Sequence, residues 1–286
     1  MNERVAVVVL NYAGADDTIR CVESLRAQRV RPEWVVVVDN ASPDDSAARL
    51  SGLGPDVTFL QSGANLGFAG GNNVGVRWAL EQGADAVWLL NNDAIAEQGA
   101  LEALLRTWRA HPRAGAIGTL IFKMDRPGEL QCWGGGWINL WTGRAREFDF
   151  EVPDAQLDYV SGCSLFLPRA ALEAAGLLDE GFFMYFEDAE LSLRYRARGF
   201  ELSVARDAVV HHKGGASVRP GRRQLEWRTQ SLLRVLKLHA SSYLGSVALS
   251  TALRAASMLA RRQAPELRGL VEDVARFLRA PDWRHR

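Results

Sequence analysis

The chain has 286 residues, 48% of them apolar and 24% charged, with a formal net charge of zero. That length suffices for one large domain with a substantial core, and the composition excludes a disordered or fibrous chain. Three scattered cysteines, Cys21, Cys132 and Cys163, exclude a disulfide framework or a C-x-x-C metal site and point to a reducing compartment.

The first half alternates short apolar runs with helical patterns. Val5–Leu10 reads as a buried strand and Asp16–Gln28 as a helix begun by Asp16 and Asp17. WVVVVDN (34–40) is a second strand, followed by a short helix, Pro43–Leu50, entered through Ser42 as N-cap. VTFLQS (57–62) is a third strand and Asn72–Gln82 a helix ending at Gly83. AVWLL (86–90) is a fourth, then a helix near Gly99–His111 stopped by Pro112, then a strand at AIGTLIF (116–122). Uninterrupted apolar strands between amphipathic helices predict a parallel sheet covered on both faces, with ligands at the carboxyl ends of the strands.

From about Asp125 to Tyr159 glycine and tryptophan concentrate in WGGGWINLWTG (133–143), read as long loops and irregular strands over one end of the sheet. YVSGCSLFLP (159–168) restores a strand and Arg169–Ala175 a helix. FEDAELSLRYRARGF (186–200) is a helix, and ELSVA (201–205) and AVVHH (208–212) are two strands.

The strand ends carry the candidate chemistry. The relevant residues are Asn11, Asp39–Asn40, Gln61–Ser62 and Asn91–Asp93. Asp39 can accept hydrogen bonds from a base or ribose, or it can cap the next helix; Ser42 already suits the capping role. The Gly/Asn-rich turn Asn65–Gly75 runs into a helix whose backbone N–H groups can meet a ligand closely. Asp93 suits a hard divalent cation, which takes carboxylate oxygen and keeps phosphate oxygens and water as other ligands. HHKGGAS (211–217) offers His212 as a nitrogen ligand on the same rim. Glu187, Asp188 and Glu190 crowd three carboxylates into four residues, and repulsion between them favours a raised pKa on one, the condition a general base needs. There is no phosphate-binding P-loop, no G-x-G-x-x-G after the first strand and no G-x-S-x-G elbow.

In this order the motifs resemble family 2 of the glycosyltransferases, inverting enzymes of GT-A fold, and most closely bacterial rhamnosyltransferase-like members that build cell-surface polysaccharides. The stretches that carry the resemblance are VVVLNYAGADDTIRCVESL (7–25), VVVVDNASPDDS (35–46), NLGFAGGNNVG (65–75), LLNNDA (89–94), residues 162–199 and HHKGGAS (211–217); they are spread over roughly residues 4–217, about three quarters of the chain. The resemblance implies an α/β GT-A fold, a Rossmann-like and mostly parallel sheet flanked by helices, with a helical C-terminal extension. It implies a catalytic domain at 1–218, made of a nucleotide-sugar half (1–124) and an acceptor half (125–218), followed by a basic helical segment at 219–286.

By the same resemblance Asp39 meets the nucleotide base. Asn65, Gly67 and Asn73 belong to the nucleotide-sugar turn, with Asn11 and Asn92 on the same rim. NND replaces the family's D-x-D: Asp93 matches its metal-binding carboxylate, while Asn91 stands where the first Asp usually lies and can bond ribose or a metal-bound water. His212 matches the metal- or diphosphate-binding histidine and Asp188 the catalytic base. The implied cofactor is Mg²⁺ or Mn²⁺. The implied partners are a nucleoside-diphosphate sugar and a glycan or lipid-linked acceptor, with no nucleic acid; the GFAGGNN form of the turn resembles dTDP-rhamnose users, and users of UDP-galactose, UDP-N-acetylglucosamine and GDP-sugars look similar. A nucleotidyltransferase would want a glycine- and lysine/arginine-rich phosphate loop where NYAGADD offers acids, and a silent sugar-nucleotide-binding protein would not need Asp93, Asp188 and His212 together.

Charge is unevenly distributed: residues 1–218 carry a net −9 and residues 219–262 a net +8. Leu225, Leu232, Leu236, Tyr243 and Val247 are interspersed with Arg222, Arg223, Arg228, Arg234 and Lys237. Two uses of this segment are expected: packing on the catalytic domain or in a homodimer, or peripheral attachment to the anionic inner leaflet. The run Val5–Leu10 is too short for a signal peptide, and the longest apolar stretch, Leu244–Ala260, is interrupted by Arg254, so the expected location is the cytoplasm.

Overall fold

A computed structural model describes residues 3–214 and 221–279; Ser217 and the end of the HHKGGAS turn lie outside them. Strands β1 (Val5–Asn11), β2 (Trp34–Asp39), β3 (Val57–Gln61) and β4 (Ala86–Asn91) alternate with helices α1 (Ala15–Arg26), α2 (Ser46–Leu50) and α3 (Gly67–Glu81). The short strand β5 (Ala94–Ala96), α4 (Ala100–Ala110) and β6 (Ala114–Lys123) follow. Then come β7 (Leu130–Trp133), β8 (Gly135–Asn139), β9 (Arg144–Glu147), β10 (Tyr159–Val160), β11 (Ser164–Pro168), α5 (Arg169–Ala175), α6 (Glu187–Ala197) and β12 (Glu201–His212). Three helices, α7 (Arg222–His239), α8 (Tyr243–Ala260) and α9 (Ala264–Arg279), end the described chain.

The main sheet runs β3-β2-β1-β4-β11-β6-β12-β5, with β7 added to β6. The expected fold class, a central sheet flanked by helices with a helical extension, is what forms. Its first four strands are parallel, but β11 lies antiparallel between β4 and β6, and β5 antiparallel to β12, so beyond β4 the sheet is mixed. Side chains alternate across it as the pleat requires. Val5, Val7 and Val9 meet α1 and α4 on one face, whereas Ala6 and Val8 meet α3 on the other.

Several expected boundaries shift. Helix α2 begins at Ser46, because Ser42 is held by Asp39 in a turn and Asp45 takes the N-cap position. The two strands expected at 201–212 are one, β12, interrupted by a bulge between Ala205 and Val209. The bulge residues Arg206 and Asp207 point polar groups outward to Asp154 and Arg106, which gave the sequence its break. Residues 125–159 are more regular than expected: β7 joins the main sheet, and β10-β8-β9 form a second antiparallel one.

The extension packs on the body. Arg234 forms a bidentate pair with Asp179, while Arg222 reaches Asp273 on α9 at 2.6 Å. Arg223 and Arg228 lie over the rings of Trp227 and Tyr185. The positive charge expected to act outward is thus largely engaged within the chain.

Gly67 and Gly63 both have positive φ, +70° and +78°, but differ in surroundings. A Cβ on Gly67 would overlap the Phe183 carbonyl, while nothing lies within 4 Å of one on Gly63. Gly63→Ala should cost about 1–2 kcal/mol, the left-handed penalty alone, and Gly67→Ala distinctly more. Urea melts of the two variants compare them; equal losses would mean that the Phe183 contact contributes nothing.

Candidate active site

Register assembles the rim. Asn11 pairs with Asp39 across β1 and β2, and Asn91 lies opposite Leu10 across β1 and β4. On the far side, His212 at the end of β12 pairs with Ala94 of β5, which sets its ring beside Asp93. His212 Nε2 is 3.1 Å from Asp93 Oδ1 and 3.4 Å from the Asn91 amide. Burial opposes a charge on the imidazole, but Cys163 and the Asp93 carboxylate outweigh it and raise its pKa to about 11. The other ring nitrogen, Nδ1, faces Gln131 of β7 at 3.2 Å.

The base candidate sits at the start of α6. Asp188 Oδ2 accepts the Gly162 N–H at 2.8 Å and Oδ1 accepts its neighbour Ala189 N–H. As a whole residue Asp188 is half-buried. Burial raises its pKa to about 6, against the pull of those N–H groups and helped by the charge of Glu147. Glu187 is buried, one of its oxygens has no hydrogen-bond partner, and burial followed by the Asp188 charge pushes its pKa well up. Glu190 differs. Burial pushes its carboxyl up, but His239 and a bidentate Arg194 hold it below its ordinary value. Burial pushes all three acids up, and their hydrogen-bond partners set them apart more than the repulsion expected from their crowding.

The dipeptide Gly162–Cys163 joins the two groups. Gly162 donates to Asp188, and Cys163 O accepts the N–H of Asn91 at 2.9 Å.

Other expected donor-site residues turn inward. Asn11 donates to Asp39 at 2.8 Å and to Ser42, and accepts from Thr18. Asp39 is 0% exposed, its carboxylate held by Asn11 and Ser42. Asn73 donates to Leu178 O and Glu180, pinning the segment before the acidic helix. Gly67 lies against Phe183 instead of lining open space, and Asn92 faces Thr18 at 3.1 Å. Asn65 remains exposed at the turn, its carbonyl accepting from Asn40 and Gly67. Asp93, His212 and Asn91 thus stand together, with Asp188 tied to them through Gly162–Cys163, and Asn11, Asn73, Gly67 and Asn92 contact neighbouring protein groups.

Gln131 and Glu147, whose carboxylate accepts from Ser161 beside Gly162, were not singled out by sequence. Both lie in the stretch read as irregular. The alternation of Leu130 and Cys132 with polar Gln131 is the strand signal that could have found the first.

The family model for glycosyl transferase family 2 matches residues 5–171. The chain belongs to glycosyltransferase family 2. This glycosyltransferase is 30% identical over 243 residues to an N-acetylglucosaminyl-diphospho-decaprenol L-rhamnosyltransferase of Mycobacterium tuberculosis, covering 77% of this chain and 79% of that one. It is 31% identical over 222 residues to galactofuranosyltransferase GlfT1 of the same organism, covering 76% and 72%. Among solved structures, mannosyltransferase PcManGT of Pyrobaculum calidifontis, in complex with GDP-Man and Mn²⁺, superposes with a TM-score of 0.60 at 18% identity, over 99% of this chain and 82% of that one. That likeness fixes the GT-A fold.

A base acts when deprotonated, so kcat/KM should fall as pH drops through about 6, the raised pKa of Asp188. Asp188→Asn should lower kcat by roughly 10²–10⁴-fold with little change in donor binding. A larger loss in Glu187→Gln would move the role to that residue.

Proposed function

We propose that this glycosyltransferase transfers a sugar, with inversion, from a nucleoside-diphosphate sugar to a hydroxyl of a lipid-linked glycan acceptor in cell-surface polysaccharide synthesis. The form of the GFAGGNN turn and the rhamnosyltransferase relative favour dTDP-rhamnose as donor. The observation that carries the reading is the Gly162–Cys163 link, which holds Asp188 at one residue and the strand end bearing Asn91 and Asp93 at the next.

In this reading Asp188 takes the proton of the acceptor hydroxyl as its oxygen bonds to the sugar's anomeric carbon, while the bond from that carbon to the diphosphate oxygen breaks. Gly162 and Ala189 N–H groups aim the carboxylate. Asp93 and His212 would hold a divalent cation, Mg²⁺ or Mn²⁺, once it displaces the proton that His212 shares with Asp93. They offer a carboxylate oxygen and an imidazole nitrogen 3.1 Å apart, and no group of three or more metal-ligating side chains occurs among the described residues. Two protein donors leave the remaining positions to diphosphate and water, as hard cations bound with phosphates prefer. When bound, the cation neutralises charge on the departing diphosphate. Asn91 supplies an amide beside His212, so one negative charge fewer faces the cation than in a D-x-D site.

Among the described residues no helix is long and apolar enough to cross a membrane. Access to a lipid-linked acceptor is therefore proposed to come from peripheral attachment at an anionic inner leaflet. The homodimer use of residues 219–286 is the second reading, and the gel-filtration volume of the full chain separates it.

The test is donor hydrolysis and sugar transfer with and without added Mn²⁺. Asp93→Asn should reduce turnover by about 10²-fold or more; it also removes the carboxylate paired with buried His212 and should lower the melting temperature, so turnover is compared below the melting range of the variant. Full activity in EDTA, or in Asp93→Asn, defeats the metal assignment.

A further inference from the structure

Apart from Val247, which packs with Leu232 and Phe277, helix α8 turns mainly polar groups inward and apolar ones outward. Its inward face carries Ser246 and Ser250, each 1% exposed, and Arg254, which donates to Thr229 Oγ1 at 2.8 Å. Its outward face carries Leu244, Leu249, Leu253 and Leu259 with alanines between them, and Leu244 and Leu259 are 69% and 64% exposed. At about 100° per residue these leucines and alanines cover one half of the helix. A helix bordering water shows the opposite arrangement. Tyr243–Ala260 contains no Asp or Glu, and its only charged residue is the inward Arg254.

Two features flank this face. At its N-terminal end Trp141, 51% exposed, lies over Gly245, whose Cβ would stand 3.5 Å from the indole. Past its C-terminal end come Arg261 and Arg262, both exposed and without an ion pair among the described residues. An indole beside an apolar helix face with arginines at the edge suits the boundary between headgroups and acyl chains.

We propose that the outward face of α8, with Trp141, docks on an anionic lipid bilayer. The helix lies in the plane of the membrane surface, since it is too short and too mixed to cross. This differs from attachment through the arginines of α7, which are engaged within the chain. A second copy suits the face less well: α8 offers no carboxylate to meet Arg261 and Arg262 in either a parallel or an antiparallel pairing. The surface also leads to the site. Trp141 sits in the turn between β8 and β9, and β9 ends at Glu147, which accepts from Ser161 beside the Gly162 that holds Asp188. The six residues from Trp141 to Glu147 span at most about 20 Å, so the indole sits on the same hairpin that ends at the neighbours of the candidate base. The inference rests on the lipid-linked acceptor of the proposed function.

Sedimentation of the full chain with phosphatidylcholine vesicles, with and without phosphatidylglycerol, tests it. The chain should pellet with the anionic vesicles at low salt, and roughly tenfold or more weaker with neutral ones or at high salt. Leu249→Asn with Leu253→Asn should lose binding roughly tenfold or more, with elution volume and melting temperature kept. An environment-sensitive dye on Ala252→Cys should shift to the blue only with vesicles. Failure to bind anionic vesicles at low salt overturns the proposal, as does a double variant that binds like the parent. A solution dimer that the double variant splits overturns it in favour of a second copy. Donor hydrolysis measured on the same samples separates the two readings: a chain that binds vesicles but hydrolyses no donor sinks the transfer reading and leaves the docking surface standing.

Discussion

One backbone contact fixes the relation between the two halves of this glycosyltransferase. The Phe68 N–H donates to Phe183 O at 2.6 Å, and Gly67 lets the two chains approach that closely. One partner opens α3, the helix of the donor turn. The other lies four residues before the acidic start of α6. Asn73 adds a second tie from the same helix to Leu178 and Glu180. The position of Asp188 relative to the strand ends thus depends on a glycine and an amide that touch no reacting group.

The segment between these ties is strained. Tyr185 and Phe186 both have positive φ, 73° and 66°, a conformation that side chains with a Cβ adopt at a cost of order 1–3 kcal/mol each. Helix α7 holds them there. Gln224 donates to the Tyr185 hydroxyl, Ser231 to Met184 O, and Trp227 stacks near Phe183 with centroids 4.8 Å apart. The C-terminal extension therefore packs directly on the segment that leads into α6.

Much of the site was legible because its key residues end apolar strands. WVVVVDN, AVWLLNND and AVVHH each announce a buried strand and a polar terminus, and parallel packing sends those termini to one rim. Hydrogen-bond partners distant in sequence were not legible. Asn11 donates to Asp39 across 28 residues, and Asn73 meets Leu178 across 105. The antiparallel insertion of β11 was hidden for the same reason, since a buried apolar run reads alike in either direction. The direction of α8 was missed too: Leu244–Ala260 was judged only for its ability to span a bilayer, and which way its leucines faced depends on what α7 and α9 cover.

The bulge in β12 has an effect on how the strand is counted. From Ala205 to Val209 the chain advances four residues while its partner β6 advances one, from Thr119 to Leu120. The surplus is odd, so the residues after it point to the face opposite from the one simple alternation assigns them. The last rungs, Val209 to His212, take their place from β5 and β6 and not from the distance back to Glu201. The bulge at Arg206–Ala208 thus works as a slack joint: its length can change without turning His212 away from Asp93, because β5 and β6 set the rungs that follow.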